Sequence, residues 1–213
     1  MRRLPLLLAP LVVLFASCGS DLAIVSKDRA ASGGFLSHGG RGMSYHPATP
    51  SGSLMAQGRA LPKDKHGMPL YSRERVRVVR TTAYTCSEDD HLEYGSMNAS
   101  GTPLRYSDRV RSAAADWSVY PVGTTFKIKG MPHLYVVDDY GSALLGTGTV
   151  DLYKPSKQHM NAWGRRTVEL AVVRWGSYER SANILSGRLG YSHCRQMYAA
   201  IQRKTGGSHT AMR

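Results

Sequence analysis

From Arg75 to Arg174 the chain is a succession of short β-branched runs broken by glycine and proline, and few folds accept such a pattern. Val76, Val78, Arg80, Thr82 and Tyr84 alternate with Arg77, Val79, Thr81 and Ala83, the period of a strand whose two faces differ. Thr124-Thr-Phe-Lys-Ile-Lys, Leu134-Tyr-Val-Val, Thr149-Val-Asp-Leu-Tyr and Thr167-Val-Glu-Leu-Ala-Val-Val-Arg are further short strands rich in β-branched residues. Gly130-Met-Pro and Tyr140-Gly-Ser are turn signals. Between the last two strands, the segment Lys154–Trp163 reads as a short helix with Ser156 as its cap. Strands this short, this numerous and this evenly spaced predict a small closed β-barrel crossed by one helix.

Three aspartates sit at the ends of apolar runs inside this region. They are Asp116 in Ser112-Ala-Ala-Ala-Asp-Trp-Ser-Val-Tyr-Pro-Val-Gly-Thr, Asp139 in Tyr135-Val-Val-Asp-Asp-Tyr-Gly, and Asp151 in Gly148-Thr-Val-Asp-Leu-Tyr. A carboxylate at a buried strand end is costly unless it is paired, protonated or used. Grouped carboxylates push at least one pKa upward, which turns an aspartate into a general acid. Each has a plainer use: Asp139-Tyr-Gly can be a turn, with Asp138 beside it leaving the register open, and Asp116 can cap a turn before Tyr120-Pro121. Asp151, between Val150 and Leu152, has the weakest structural excuse.

The run Thr82-Ala-Tyr-Thr, Ala99-Ser-Gly-Thr, Ala115-Asp-x-x-x-Tyr-Pro-Val-Gly-Thr, Asp139-x-Gly, Val150-Asp-Leu-Tyr and Trp163-Gly-Arg-Arg-Thr-Val resembles the three-Asp (3D) domain. That domain occurs in membrane-bound lytic transglycosylase A and in secreted cell-wall-remodelling proteins, and more distantly resembles the barrels of rare lipoprotein A and the expansins. The likeness spans residues 77–174. It implies an all-β fold: a small six-stranded double-psi β-barrel over 73–176 with a short crossing helix, preceded by a disordered linker and followed by a helical tail. It departs from the family at Ser142, where Asp-x-Gly-Gly is usual, and in a longer stretch before Asp151.

The resemblance implies a peptidoglycan lytic transglycosylase. Such an enzyme protonates the glycosidic oxygen between N-acetylmuramic acid and N-acetylglucosamine, then takes the proton of the muramic 6-hydroxyl as the ring closes to a 1,6-anhydro sugar. One carboxyl serves first as acid and then as base, and an ordinary aspartate, with a pKa of about 3.9, must be raised to do so. Carried over motif by motif, Asp151 is the acid/base, Asp139 its partner and electrostatic tuner, and Asp116 a supporting residue. Tyr84 and Trp117 are the aromatic rings expected to line the cleft and stack on sugar faces. No cofactor is implied. Asp138, Asp139 and Asp151 are oxygen ligands suited to a hard cation, but nothing resembles an EF-hand loop, and His91, His133 and His159 lack ligand spacing, so no metal is expected. The alternative is a non-catalytic wall-binding or wall-loosening module on the same barrel. A shallow cleft on a lone barrel would cut short or naked strands, or work with a cell-wall enzyme partner.

The ends add an address. Arg2 and Arg3 precede Leu4-Pro-Leu-Leu-Leu-Ala-Pro-Leu-Val-Val-Leu-Phe, an export signal too short to span a bilayer comfortably, over residues 1–17. Phe15-Ala-Ser-Cys18 resembles a lipobox with Cys18 as the lipidated residue, and Gly19 after it favours the periplasmic face of the outer membrane; an ordinary cleaved signal is the plainer reading. Residues 18–72 read as a flexible linker on Ser32-Gly-Gly, His38-Gly-Gly-Arg-Gly and Pro47-Ala-Thr-Pro-Ser-Gly-Ser. A formal net charge of +13 calls for an anionic partner. Export argues against nucleic acid; an anionic cell-wall polymer, with peptidoglycan glycan strands the expected partner, the membrane surface or lipopolysaccharide fits better, and simple solubility is the plainer reading. Cys86 and Cys194 could pair or stay as thiols. In the basic tail, 177–213, Cys194, Met197, Tyr198 and Ile201 fall at helical spacing, so Ser192–Lys204 reads as an amphipathic helix ended by Gly206-Gly207. Such a stripe packs on its parent domain; wall binding by the basic face is the second reading.

Overall fold

The computed structural model describes residues 45–87 and 95–206. Six strands close into one barrel: β1 (Val76–Tyr84), β2 (Val110–Ala115), β3 (Thr125–Ile128), β4 (Leu134–Asp139), β5 (Val150–Tyr153) and β6 (Arg166–Arg174), in the ring order β1-β5-β2-β4-β3-β6. The sheet is mixed. β1 runs parallel to β5 and β2 parallel to β4, while the other four pairings are antiparallel. Closure leaves no unpaired strand edge.

Period-2 alternation sorts the side chains. Val79, Ala113, Ala115, Val137, Val150, Leu152, Val168 and Leu170 fill one core, with Phe126 stacked on Tyr135 at 5.3 Å. Alanines on β2 leave room for Trp117, which is fully buried in that core. Arg77, only 1% exposed, lies among the rings of Tyr71, Tyr120 and Trp175 at 5.2–5.3 Å and donates from Nε to the Glu74 carbonyl at 2.9 Å. Those rings compensate part of the lost hydration of its charge.

The crossing helix, written α2 once α1 (Gly52–Arg59) is counted, spans Lys157–Trp163. Ser156 caps it, accepting from the His159 N–H. Two helices follow the barrel, α3 (Tyr178–Ser186) and α4 (Ser192–Thr205), the latter ended by Gly206 in the left-handed region at φ 70°. Ala182 and Leu185 of α3 and Cys194, Met197 and Ile201 of α4 belong to the barrel's own core. The Ser181 hydroxyl accepts from the Val122 N–H at 2.9 Å, and a Cβ on Gly176 would stand 2.2 Å from the Val122 carbonyl oxygen. The segment expected as a tail from residue 177 is thus continuous with the barrel's core through Ile201.

A second difference concerns the expected linker over 18–72. Its part before residue 45, with the export signal and Cys18, lies outside the described residues. From residue 45 onward the chain is folded against the barrel. The Ala48 N–H donates to the Lys129 carbonyl at 2.8 Å, and Ser51 N–H to Glu169 Oε2 at 2.9 Å. Asp64 Oδ1 gathers the N–H groups of His66 and Met68, while its Oδ2 accepts from Gly148 N–H at 3.1 Å, just ahead of β5. Composition hid this because the segment docks through backbone and carboxylate bonds more than through an apolar stripe. Cys194 is a free, buried thiol that donates to the Tyr140 hydroxyl, so Cys86 and Cys194 do not pair.

Candidate functional site

A β-bulge builds the site. On β4, Val137 pairs with Ala113 and Asp139 with Ala114, so Asp138 is an extra residue with no register partner on β2. Strict alternation would send Asp138 and Asp139 to opposite faces. The bulge suspends it. Ser112 Oγ donates to Asp138 Oδ2 at 2.8 Å, and the Tyr84 hydroxyl donates to Asp139 Oδ2 at 3.1 Å. The turn Asn98–Thr102 fastens the bulge from outside: Ser100 N–H donates to the Asp138 carbonyl at 3.1 Å and Ala99 N–H to Asp139 Oδ1 at 3.0 Å. Gly101, at φ 81°, and the Asn98 carboxamide, which accepts from the N–H groups of Ser100 and Thr102, hold that turn. The Ala99-Ser-Gly-Thr motif is therefore the brace of the aspartate pair.

Asp151 sits on the same row of the sheet. Thr82, Asp151, Ala114 and Asp139 are successive register partners across β1, β5, β2 and β4. Two strand spacings, about 10 Å, separate the Asp151 and Asp139 backbones. Thr82 Oγ1 donates to Asp151 Oδ1 at 2.7 Å. Tyr84, two residues on from Thr82, is buried and tilted against Tyr153 at 5.7 Å. Burial pushes its hydroxyl well above the ordinary tyrosine range, and the charges of Asp139, Asp138 and Asp151 push it further. Three carboxyl groups thus surround one phenol.

Their exposures differ. Asp138 is 4% and Asp139 5% exposed, whereas Asp151 is only half-buried. Burial, aided by the neighbouring Asp139 charge and opposed by the Ser112 hydrogen bond and Arg105, lifts Asp138 to about 7. Its Oδ1 is enclosed and has no partner, as fits a carboxyl group holding a proton. Asp139 accepts from Tyr84, from the Ala99 N–H and from the Tyr140 N–H at 3.0 Å.

Two expected site residues are placed elsewhere. Asp116 Oδ1 accepts from Ser118 N–H at 2.8 Å and Oδ2 from Gly146 N–H at 2.7 Å, while its carbonyl takes Val119 and Tyr120 N–H. It caps the turn after β2 and ties it to the 146 loop, facing Ala200 and Arg203 of α4 across a shallow depression. Trp117, at 0% exposure, has no face to offer a sugar; its Nε1 donates to the Asp139 carbonyl at 2.9 Å and its ring meets Tyr140 edge-on at 4.9 Å. It supports the bulge from within. Sequence leaves open whether Asp138 or Asp139 stands here; the bulge brings both in. Among the described residues no group of three or more His, Cys, Asp or Glu is arranged to hold a metal ion, and no helix is long and apolar enough to cross a membrane.

Residues 111–174 match the family model of the 3D domain, which covers nearly all of β2 and runs to the end of β6. β1, which closes the ring and carries Thr82 and Tyr84, lies before the match. A curated relative, the cell wall-binding protein YocH of Bacillus subtilis (strain 168), is 28% identical over 96 residues, covering 45% of this chain and 32% of its own length. The chain therefore spans about a third of that relative. A crystal structure of an apo expansin from Clavibacter michiganensis aligns with a TM-score of 0.33 at 18% identity, covering 48% of this chain and 52% of that one.

Proposed function

We propose, on the premise that residues 111–174 are a 3D domain, that this protein binds the glycan strands of peptidoglycan on the outer face of its barrel. The barrel is taken as the double-psi type. Asp151, the half-buried carboxyl group of that face, supplies the acceptor for sugar hydroxyls, with the buried Asp138–Asp139 bulge behind it. One observation carries the choice of binding over cutting. The carboxyl group that holds a proton near neutral pH is Asp138, 4% exposed, while the one that meets solvent is Asp151. A general acid must be both protonated and within reach of the glycosidic oxygen. Asp138, the carboxyl group that burial raises to about 7, is enclosed and out of that reach. The similarity to a cell wall-binding relative supports the same reading.

A second reading keeps the proton and moves it. In a lytic transglycosylase, Asp151 would give a proton to the glycosidic oxygen and recover one from the muramic 6-hydroxyl, with Asp139 beside it. The three carboxyl groups around Tyr84 favour this reading. The address belongs to the proposal as well: export, with Cys18 carrying a lipid at the periplasmic face of the outer membrane.

Purified sacculi incubated with the full chain separate the two readings. Binding predicts that the protein pellets with sacculi and that mass spectrometry finds no soluble muropeptides. Anhydro-muropeptides that vanish in Asp151→Asn would replace it with the transglycosylase, and absence of both pelleting and products would end both.

A further inference from the structure

Beside the acidic face lies a group of cations with no counter-charge. Lys154 follows β5 directly and is 5% exposed. Its ammonium stands 4.4 Å from the Trp163 ring and 5.8 Å from the Tyr106 ring. Each ring carries a second cation: Arg166 over Trp163 at 4.9 Å, and Arg111 over Tyr106 at 4.0 Å. Among the described residues the Lys154 ammonium has no hydrogen-bond acceptor and no carboxylate partner, the one ion pair between described residues being Lys129–Glu169. Burial lowers Lys154 to about 8, and the charges that act on it, Arg111 and Arg166, lower it too.

Such an arrangement is expensive. A buried ammonium is normally paired, and aromatic faces return only about 0.5–2 kcal/mol each. A second leftover donor lies nearby. Tyr135, the register partner of Arg111, is fully buried and its hydroxyl has no hydrogen-bond partner. Arg111 Nε donates to the Ser107 carbonyl, and Arg166 Nε and Nη2 to the Trp163 and Ala162 carbonyls, yet no carboxylate among the described residues pairs with any of the three cations. The missing component is an anion.

We infer that Lys154, Arg111 and Arg166 form a binding site for an oxyanion, a carboxylate or phosphate group borne by the cell-wall polymer. The inference deepens the wall-binding proposal and rests on it for the identity of the polymer. Continuity with the acidic face runs through the tyrosines: Tyr153 meets Tyr84 at 5.7 Å on one side and Tyr106 at 6.4 Å on the other. A polymer laid along this strip would place hydroxyl groups at Asp151 and a charged substituent at Lys154. With Arg111 Nε and Arg166 Nε and Nη2 held by carbonyls, the remaining guanidinium N–H groups and the Lys154 ammonium, a point charge, are left for the anion.

The test is an amide NMR titration of the full chain with sodium acetate and, separately, with inorganic phosphate, against sodium chloride at equal ionic strength. Saturable shifts at Tyr106, Lys154 and the Trp163 indole that disappear in Lys154→Met support the site. A response to acetate alone assigns a carboxylate, and a response to phosphate alone assigns a phosphate group. No saturable shift with either anion, or the same shifts in Lys154→Met, overturns it. Lys154→Met removes an unpaired buried charge, so it should be at least as stable as the parent. Sacculus pelleting then tests the link to the wall: Lys154→Met should weaken retention about tenfold, the loss of one charged hydrogen bond. Anion shifts with unaltered retention would overturn the wall assignment of this site while leaving the acidic-face proposal standing. Failure of the parent itself to pellet would instead overturn that proposal.

Discussion

A chain ending at residue 176 should lose its cooperative unfolding transition, measured by near-ultraviolet circular dichroism on heating. Ala182, Leu185, Cys194, Met197 and Ile201 are each 2% exposed or less and share the core of the barrel. Fully burying a Leu, Ile or Met side chain contributes about 1.5–3 kcal/mol, so these residues together approach the roughly 5–15 kcal/mol by which a whole domain is stable. Polar ties go with them. Val122 N–H loses the Ser181 hydroxyl, Tyr140 loses Arg188 and Cys194, and the Ser118 carbonyl loses Lys204. A truncated chain that melts sharply near the parental temperature would show that the barrel stands alone and that α3 and α4 are accessory.

The second large effect concerns Asp138. Its folded pKa is about 7 against an ordinary value of 3.8. Below about pH 4 both the native and unfolded chains hold this proton, and the group contributes no pH dependence. Between about 4 and 7 the native state alone holds it, so raising the pH favours unfolding. Above about 7 the native state carries a buried charge, and the accumulated penalty is on the order of 4 kcal/mol. Asp138→Asn, which keeps an acceptor for Ser112, should be more stable than the parent at pH 8, match it at pH 4, and flatten the decline between. Chemical denaturation at several pH values reads this directly. An equal gain at both pH values would place the effect in packing and refute the buried proton.

Five strands were legible from β-branched or alternating runs, as in β5, where Val150 and Leu152 inward against Asp151 outward needs only period 2, whereas β2, buried from Ser112 to Ala115, shows only as an apolar run. Helix α4 was legible for a similar reason: Cys194, Met197 and Ile201 repeat at helical spacing. Helix α3 escaped notice because its buried face is Ser181, Ala182 and Leu185, too small and too polar to mark a stripe. The docked segment from residue 45 was hidden likewise, since its anchors are single carboxylates such as Asp64 and Glu169.

The aspartates show where sequence reasoning stops. Sequence ranks Asp116, Asp139 and Asp151 only by how readily each could be structural, because a carboxylate at a strand end can cap a turn or face a site. Hydrogen-bond partners divide them. Asp116 spends both oxygens on backbone N–H groups of its own turn and the 146 loop. Asp138 enters the group only through a bulge, a one-residue register shift that no periodicity announces. Trp117, placed beside an aspartate in sequence, supports the site by a bond from inside the core.

The central claim is that the outer face bearing Asp151 holds the wall polymer. It is tested most directly by measuring retention on purified sacculi for the parent and Asp151→Ala, with unfolding recorded in parallel. Asp151 is half-buried and lies outside the core that Val150 and Leu152 fill, and the parallel unfolding record reports whether the fold is kept. Losing charged hydrogen bonds to sugar hydroxyls should weaken retention about tenfold or more. Unchanged retention by a folded Asp151→Ala chain would contradict the account.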